Sequence, residues 1–372
     1  MRLVLAILSR QEPVAAVCRR VGVSRQTGYK YLKRFRAYGR PGLVERSRRP
    51  ARAGWPAWWR RQIERMRRRR PTWGGDKLRW WLRQRHPRRR LPAERTVQRW
   101  LQTANLVRQR KHKRSGGGTV FGQRRAARRC NEVWTVDYKG WFRTGRGQKI
   151  EPLTARDLYS RFLLAVTPVR NTSTVEARRV FRGLFSRYGL PRVIRADRGS
   201  PFCGVGPHGL TQLSLWWHRL GIRVEFVSRQ RGVNNNAHEQ MHAVLQAEVA
   251  CRPARNRAAQ TRILRTWRDH YNHHRPHASL GMRTPASRYR PSKRRAPRLR
   301  LPIYPAGWLV YRVKNAGHIL VRGKLYVIGR AFQRLPVGLQ PVRNRPHNVY
   351  FGPLLLGQLD LASDRSIRLP TR

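Results

Sequence analysis

Acidic side chains are so scarce in this chain that where they fall, and where they do not, divides it into regions. Seventeen Asp and Glu stand against 83 Lys and Arg, a net charge of +66 over 372 residues. No acid lies between Glu94 and Glu132 or between Asp269 and Asp360, and ten of the 17 fall within residues 130–290. An acid-containing middle is therefore flanked by strongly basic arms. A compact chain with this excess repels itself, and its natural counter-ion is a polyanion. Nucleic acid fits best, because each neutralised phosphate releases counterions. The chain is long enough for about two to four domains. Its 13 Trp, 12 Tyr and 10 Phe supply cores, which argues against wholesale disorder.

Cys18, Cys130, Cys203 and Cys251 are far apart and form no CxxC pair, so they read as free thiols of a reducing compartment. No stretch approaches the ~20 apolar residues of a membrane span. The apolar run at 3–8 is too short for a signal peptide. The expectation is a cytoplasmic, nucleoid-associated protein with no membrane partner.

Residues 1–50 read as a helix-turn-helix DNA-binding domain. Val14, Val17 and Cys18 share a helical face, Gly22-Val23-Ser24 turns the chain, and Ser24 caps a helix over 25–35 with Tyr29, Leu32 and Phe35 inward. Arg25, Gln26, Thr27 and Lys30 then sit where side chains meet base edges. The same pattern also suits a plain helical hairpin with a solvated basic face. Residues 57–107 form a second, less distinct helix-turn-helix unit, broken at Trp73-Gly74-Gly75. Residues 108–129, with nine Lys or Arg and no acid, read as a basic linker. From 130 to 290, strand patterns give way to a strand–helix alternation, the signature of an α/β core. Helices are expected over 174–188, 210–220 and 237–251, the first with Val175, Val180, Leu184 and Phe185 inward. A second basic linker at 291–302 leads to short strands over 303–372 whose spacing fits a small β-barrel.

Asp137 and Asp197 each end an apolar strand pattern, and Glu239 lies in the first turn of a helix. Strand ends are where α/β sheets place ligands. Three carboxylates suit hard divalent cations, and two such ions ~4 Å apart assist phosphodiester displacement. By spacing alone, an acid at a strand end is more often a cap or an ion-pair partner than a metal ligand. Asp157, flanked by Arg156 and Arg161, fits a structural role better. Glu248, nine residues after Glu239, projects from the opposite face of an ideal helix. The histidines between 270 and 277 lack Cys partners and suit packing or DNA contact better than zinc.

The blocks Trp134-Thr-Val-Asp137, Asp157-Leu-Tyr-Ser-Arg161, Arg195-Ala-Asp197-Arg-Gly and Asn235-Asn-Ala-His-Glu239 resemble those of bacterial insertion-sequence transposases of the DDE type. Tyr271-Asn272 to Arg275-Pro276-His277, Val23-Ser24-Arg25-Gln26-Thr27, Arg46-Ser-Arg-Arg-Pro50, Trp73-Gly74 with Lys77-Leu78, and Gly352-Pro353 extend the likeness along nearly the whole chain. The resemblance implies an RNase-H-like, retroviral-integrase-like core. It further implies that Asp137, Asp197 and Glu239 hold two Mg²⁺ (Mn²⁺ substituting), and that the helix-turn-helix units bind the element's terminal inverted repeats. Water would free a 3′-OH, which then attacks target DNA; bringing two double-stranded ends together implies a homo-oligomer on DNA. Three positions depart from the pattern: Asn236 stands for the usual Gly, Gln240 for a cation, and Gln246 for a DNA-contacting Lys or Arg. An inactive or repurposed sequence-specific DNA-binding protein is the alternative. A nuclease acting on RNA–DNA hybrids fits the helix-turn-helix units less well.

Overall fold

The computed structural model describes residues 1–45, 54–107, 127–227, 236–342, 345–363 and 365–369. The Arg46–Pro50 motif, most of the first basic linker and Asn235 lie outside the described residues. The chain forms two compact units, Met1–Pro56 and Ala57–Arg372.

In the first unit, α1 (Arg2–Leu8), α2 (Val14–Val21) and α3 (Arg25–Tyr38) bury Val4, Ile7, Val17 and Leu32 together. Gly22 takes the left-handed conformation (φ 74°) that ends α2. Ser24 Oγ then accepts the Thr27 N–H at 3.2 Å and starts α3. The inward face differs from expectation at one position: Tyr29 is 55% exposed, and Gly28 takes the buried place. The cause is close helix packing, since a Cβ on Gly28 would meet Cys18 Sγ at 2.6 Å.

The second unit begins with α4 (Ala57–Arg69), α5 (Gly75–Arg85) and α6 (Glu94–Thr103), joined through Trp59, Ile63, Leu78, Leu82, Val97 and Leu101. The core that follows contains β1 (Val133–Tyr138), β2 (Phe142–Arg143), β3 (Lys149–Asp157), β4 (Leu163–Val169), α7 (Thr174–Tyr188), β5 (Val193–Asp197), α8 (Gln212–Arg219), β6 (Arg223–Val227), α9 (Asn236–Leu245), α10 (Arg257–His273) and α11 (Pro285–Arg288). The sheet runs β4-β3-β1-β5-β6, with β2 a short piece against the start of β3. Its first three strands are antiparallel, while β5 and β6 lie parallel to β1. One face packs on α7 and α8 through Phe181, Leu213 and Trp217. The other packs on α9 and α10 through Met241, Leu245, Leu264 and Trp267. In α7 the inward stripe is Ala177, Val180, Phe181, Leu184, Phe185 and Tyr188; Val175 falls off it and is 76% exposed. The helix expected to run to 251 passes into a π-helical turn at Gln246–Ala250.

Past the core, residues 291–302 are no free tether. Ser292 N–H donates to the Tyr188 carbonyl, Arg294 O accepts from Leu190 N–H, and the Arg294 guanidinium donates to the Gly221 and Pro191 carbonyls. The strands β7 (Leu309–Arg312), β8 (His318–Val321), β9 (Lys324–Val327), β10 (Pro336–Val342), β11 (Arg345–Phe351) and β12 (Leu354–Leu359) follow. They do not close into the expected barrel: the described strands form an open sheet, β12-β11-β10-β7, and a separate β8-β9 hairpin. Their apolar side, with Phe332, Val337, Leu339 and Val349, gathers Leu210 and Leu215 from the core. The α/β domain thus supplies the cover that closure would otherwise give. No helix among the described residues is long and apolar enough to cross a membrane.

Candidate active site

The parallel ladder between β1 and β5 pairs Val133 with Val193, Trp134 with Ile194 and Thr135 with Arg195, a constant offset of 60. The same offset carries Asp137 onto Asp197. Ladder pairing stops at Thr135, two residues before both aspartates, so the strands part where the carboxylates stand. Equivalent positions on neighbouring parallel strands share a face, and a parting at carboxyl ends is the crevice where open α/β sheets bind ligands. Asp197 Oδ1 accepts the Gly199 N–H at 3.2 Å.

Alongside, α9 and the turn after it run parallel to β1. His238 Nδ1 meets Thr135 Oγ1 at 2.9 Å, His242 Nδ1 lies 3.8 Å from Asp137 Oδ2, and Gln246 accepts from Lys139 Nζ at 3.0 Å. Four helical residues rise about 6 Å and two strand residues about 6.6 Å, so the two ladders stay in step. Thr154 Oγ1 on β3 lies between them, donating to the Asp137 carbonyl at 2.8 Å and touching His238 Nε2 at 2.7 Å and His242 Nε2 at 2.9 Å. Burial holds both imidazoles neutral, His242 down to about 3, with Lys139 and Arg156 adding to the effect. Among the described residues, Asp137, His238 and His242 bring potential ligand atoms within 4.8 Å of one another. Asp197 and Glu239 are not in that cluster. Glu239 is exposed in the first turn of α9, about 100° around the helix from His238 and one turn before His242.

The two histidines, with Thr135 and Thr154, are absent from the sequence-level candidates. Their signal was an i,i+4 His pair bracketing Glu239, overshadowed by the richer histidine run near 270. Asp157 is buried and accepts from Asn131 N–H, Ser160 N–H and Ser160 Oγ, which ties down two turns. Glu248 points into a buried cluster, accepting from Thr72 Oγ1, Trp267 Nε1 at 2.8 Å and Arg275 at 3.2 Å. At the start of α3, Arg25, Gln26 and Lys30 are exposed, whereas Thr27 is half-buried with Oγ1 2.9 Å from Ser24 Oγ. All four cysteines are free thiols.

An integrase core domain description matches residues 127–231 and a second of the same name matches 220–285. A helix-turn-helix domain matches 1–51 and a homeodomain-like domain 27–101. A Burkholderia multivorans protein, the insertion element IS407 uncharacterized 31.7 kDa protein, is 22% identical over 191 residues, which span 51% of this chain and 66% of that protein. Among solved structures, the HTLV-2 integrase catalytic core domain in complex with magnesium aligns at a TM-score of 0.34 and 12% identity, covering 44% of this chain and 99% of that one. A chain of the simian T-cell lymphotropic virus intasome in complex with PP2A regulatory subunit B56 gamma aligns at 0.38 and 12%, covering 80% of this chain and 99% of that one. The chain carries an integrase core domain preceded by helix-turn-helix and homeodomain-like matches, and these ordered matches, with the insertion-element relative, support an insertion-sequence transposase with an integrase-like core.

Proposed function

We propose that this protein binds the terminal inverted repeats of a mobile element and catalyses metal-dependent cleavage and strand transfer at Asp137, Asp197 and Glu239. The observation that carries the reading is the offset of 60, which aligns the two aspartates on neighbouring strands at a parted sheet end. The donor set is carboxylate oxygen, which fits Mg²⁺ or Mn²⁺. When bound, two such cations supply Lewis acidity at the phosphate and ease deprotonation of the attacking hydroxyl. Carboxylates repel one another, so Asp137, Asp197 and Glu239 would come together only with such cations held between them. The chain's own residues orient the site. Gly199 N–H fixes the Asp197 carboxylate, Thr154 fixes the end of β1 through the Asp137 carbonyl, and the exposed Glu239 lies free to swing toward the sheet end. Water then breaks one phosphodiester bond, leaving a 3′-OH and a 5′-phosphate, and that hydroxyl attacks a phosphodiester of target DNA, forming a new P–O bond as a target 3′-oxygen leaves and takes up a proton. Arg25, Gln26 and Lys30 meet base edges from α3, and Thr27 stiffens that helix start. Assembly of two or more chains on DNA brings the ends together.

The test is nicking and strand transfer with the gene's flanking DNA in Mg²⁺. Asp137→Asn and Asp197→Asn each lower the rate about 10³-fold, some 4 kcal/mol of barrier, with DNA affinity retained. A variant that cuts like the parent removes that residue from the site. A parent chain that binds the ends but never cuts them establishes the non-catalytic DNA-binding protein instead.

A further inference from the structure

Helix α4 carries Gln62, Arg65, Met66 and Arg69 at helical spacing, a single stripe down its side, and α5 carries Trp81 and Arg85 one turn apart. The two stripes, with His86 at the end of α5, enclose a groove of about 540 Å³. No residue of α6 lines it, so it lies apart from the second helix of the α5–α6 pair. The acids of this helical unit are engaged elsewhere. Glu64 accepts from Arg60 at 2.7 Å, Asp76 faces Lys77 at 3.9 Å, and Glu94 accepts from Gln98 at 2.8 Å. Among the described residues, no carboxylate pairs with Arg65, Arg69 or Arg85, and all three are exposed. The Arg85 guanidinium instead lies over the half-buried Trp81 ring, 4.7 Å from its centroid.

We propose that this groove binds an unpaired stretch of a DNA strand, with a base stacked on Trp81 and the flanking phosphates on Arg65 and Arg69. A guanidinium and a nucleobase are both flat, so the seat that Arg85 takes on the indole also fits a base. Arg65 and Arg69 stand one helical turn apart, ~6 Å along the axis, close to the spacing of successive phosphates on an extended strand. A base that displaces Arg85 frees a third guanidinium for the backbone. The volume falls in the range of small-ligand sites and holds one nucleotide. The same pairing recurs beside His86, whose ring meets Trp58 edge-on at 5.3 Å, for Arg89 lies over Trp58 at 5.3 Å. A neighbouring base thus has a second ring within reach. An acidic peptide uses the cations and leaves the indole idle, and a duplex keeps its base faces to itself. The site goes beyond the inverted-repeat and carboxylate readings, since stacking needs neither a cognate sequence nor a metal.

Fluorescence anisotropy of the full chain tests it, in EDTA, with a short labelled thymidine strand and an abasic strand of the same length and charge. Diffuse attraction to a +66 chain is the same for both, so their ratio isolates the bases. The parent binds the base-bearing strand about tenfold more tightly, the low end for stacking on one aromatic ring. Trp81→Ala abolishes that ratio and Trp81→Phe keeps most of it. Arg65→Gln and Arg69→Gln weaken both strands equally, each lowering the salt slope by about 0.7. Arg182→Gln, which removes an exposed cation on α7, does neither. The two groove arginines are exposed, so their Gln variants melt as the parent does, which separates loss of the site from loss of fold. Photocrosslinking a 5-iodouracil strand to the unsubstituted chain keeps the test decisive where Trp81→Ala unfolds, with the adduct expected on Trp81. No preference for the base-bearing strand, an unchanged preference in folded Trp81→Ala, or an adduct confined to other residues overturns the site. Polyglutamate that displaces the thymidine strand at equal charge also overturns it, in favour of an acidic protein partner.

Discussion

Thr154 fixes the protonation pattern around Asp137. A hydroxyl has one proton and two lone pairs. Its proton goes to the Asp137 carbonyl, so the lone pairs accept from Nε2–H of both His238 and His242. With both imidazoles neutral, His238 Nδ1 accepts from Thr135, and His242 Nδ1 presents a bare lone pair 3.8 Å from Asp137 Oδ2. Two electron-rich atoms facing one another make a place for a cation, and the nitrogen tilts the choice toward transition metals. Thr154→Val therefore strands two buried N–H donors and lowers stability by about 1–3 kcal/mol for each, read from the denaturant midpoint. His242→Leu weakens Mn²⁺ binding about tenfold or more in calorimetric titration and changes Mg²⁺ binding less. Equal losses for the two metals would mean that Nδ1 is no ligand.

At the scale of elements, close contacts decide which side chains face inward. Gly28 sits where α3 crosses α2 against Cys18. Gly28→Ala overpacks that crossing and costs about 1–3 kcal/mol; adding Cys18→Ala restores most of it. Additive losses in thermal melts of the double variant would show that the two positions do not touch. The sequence places a helix here correctly but puts Tyr29 inward, because periodicity reports a face and not how close the neighbouring helix comes. Strands β1 and β5 were legible as β-branched or apolar runs ending in an acid, and their shared offset is a consequence of pairing that no local pattern carries. Strands β10 and β12 were illegible: one opens on Pro336 and the other is a leucine run broken by Gly357. Barrel closure misled for a related reason, since Leu210 and Leu215, which cover the module, lie more than 90 residues earlier in the chain. Glu248 is legible as pointing away from Glu239, but its partners Thr72 and Arg275 come from distant segments.

Those partners matter for the molecule as a whole, because they fasten the α4–α6 unit to the core. Glu248 is the acid at a junction of Thr72, Arg275 and Trp267, and Trp73 lies near His270, with ring centroids 6.4 Å apart. Glu248→Ala leaves Arg275 buried without its counter-charge and costs about 3–5 kcal/mol. Limited trypsin digestion then cuts first after Arg69 or Arg70, before the core yields. The same junction sets the acid limit of the fold. His277 is held to about 3 and His270 to about 4, in both cases chiefly by burial, with nearby arginines adding. Unfolded histidine titrates near 6.5. Above that pH both states are neutral and stability is at its full value. As pH falls toward the folded values the unfolded chain takes up protons that the folded chain refuses, so stability falls. The slope is at most about 1.4 kcal/mol per pH unit for His277, and shallower for the more exposed His270. Melting temperatures measured from pH 7.5 to 5 at fixed ionic strength show this decline, and His277→Gln flattens it by one proton's worth. An unchanged slope in that variant would mean that His277 is already protonated in the folded chain.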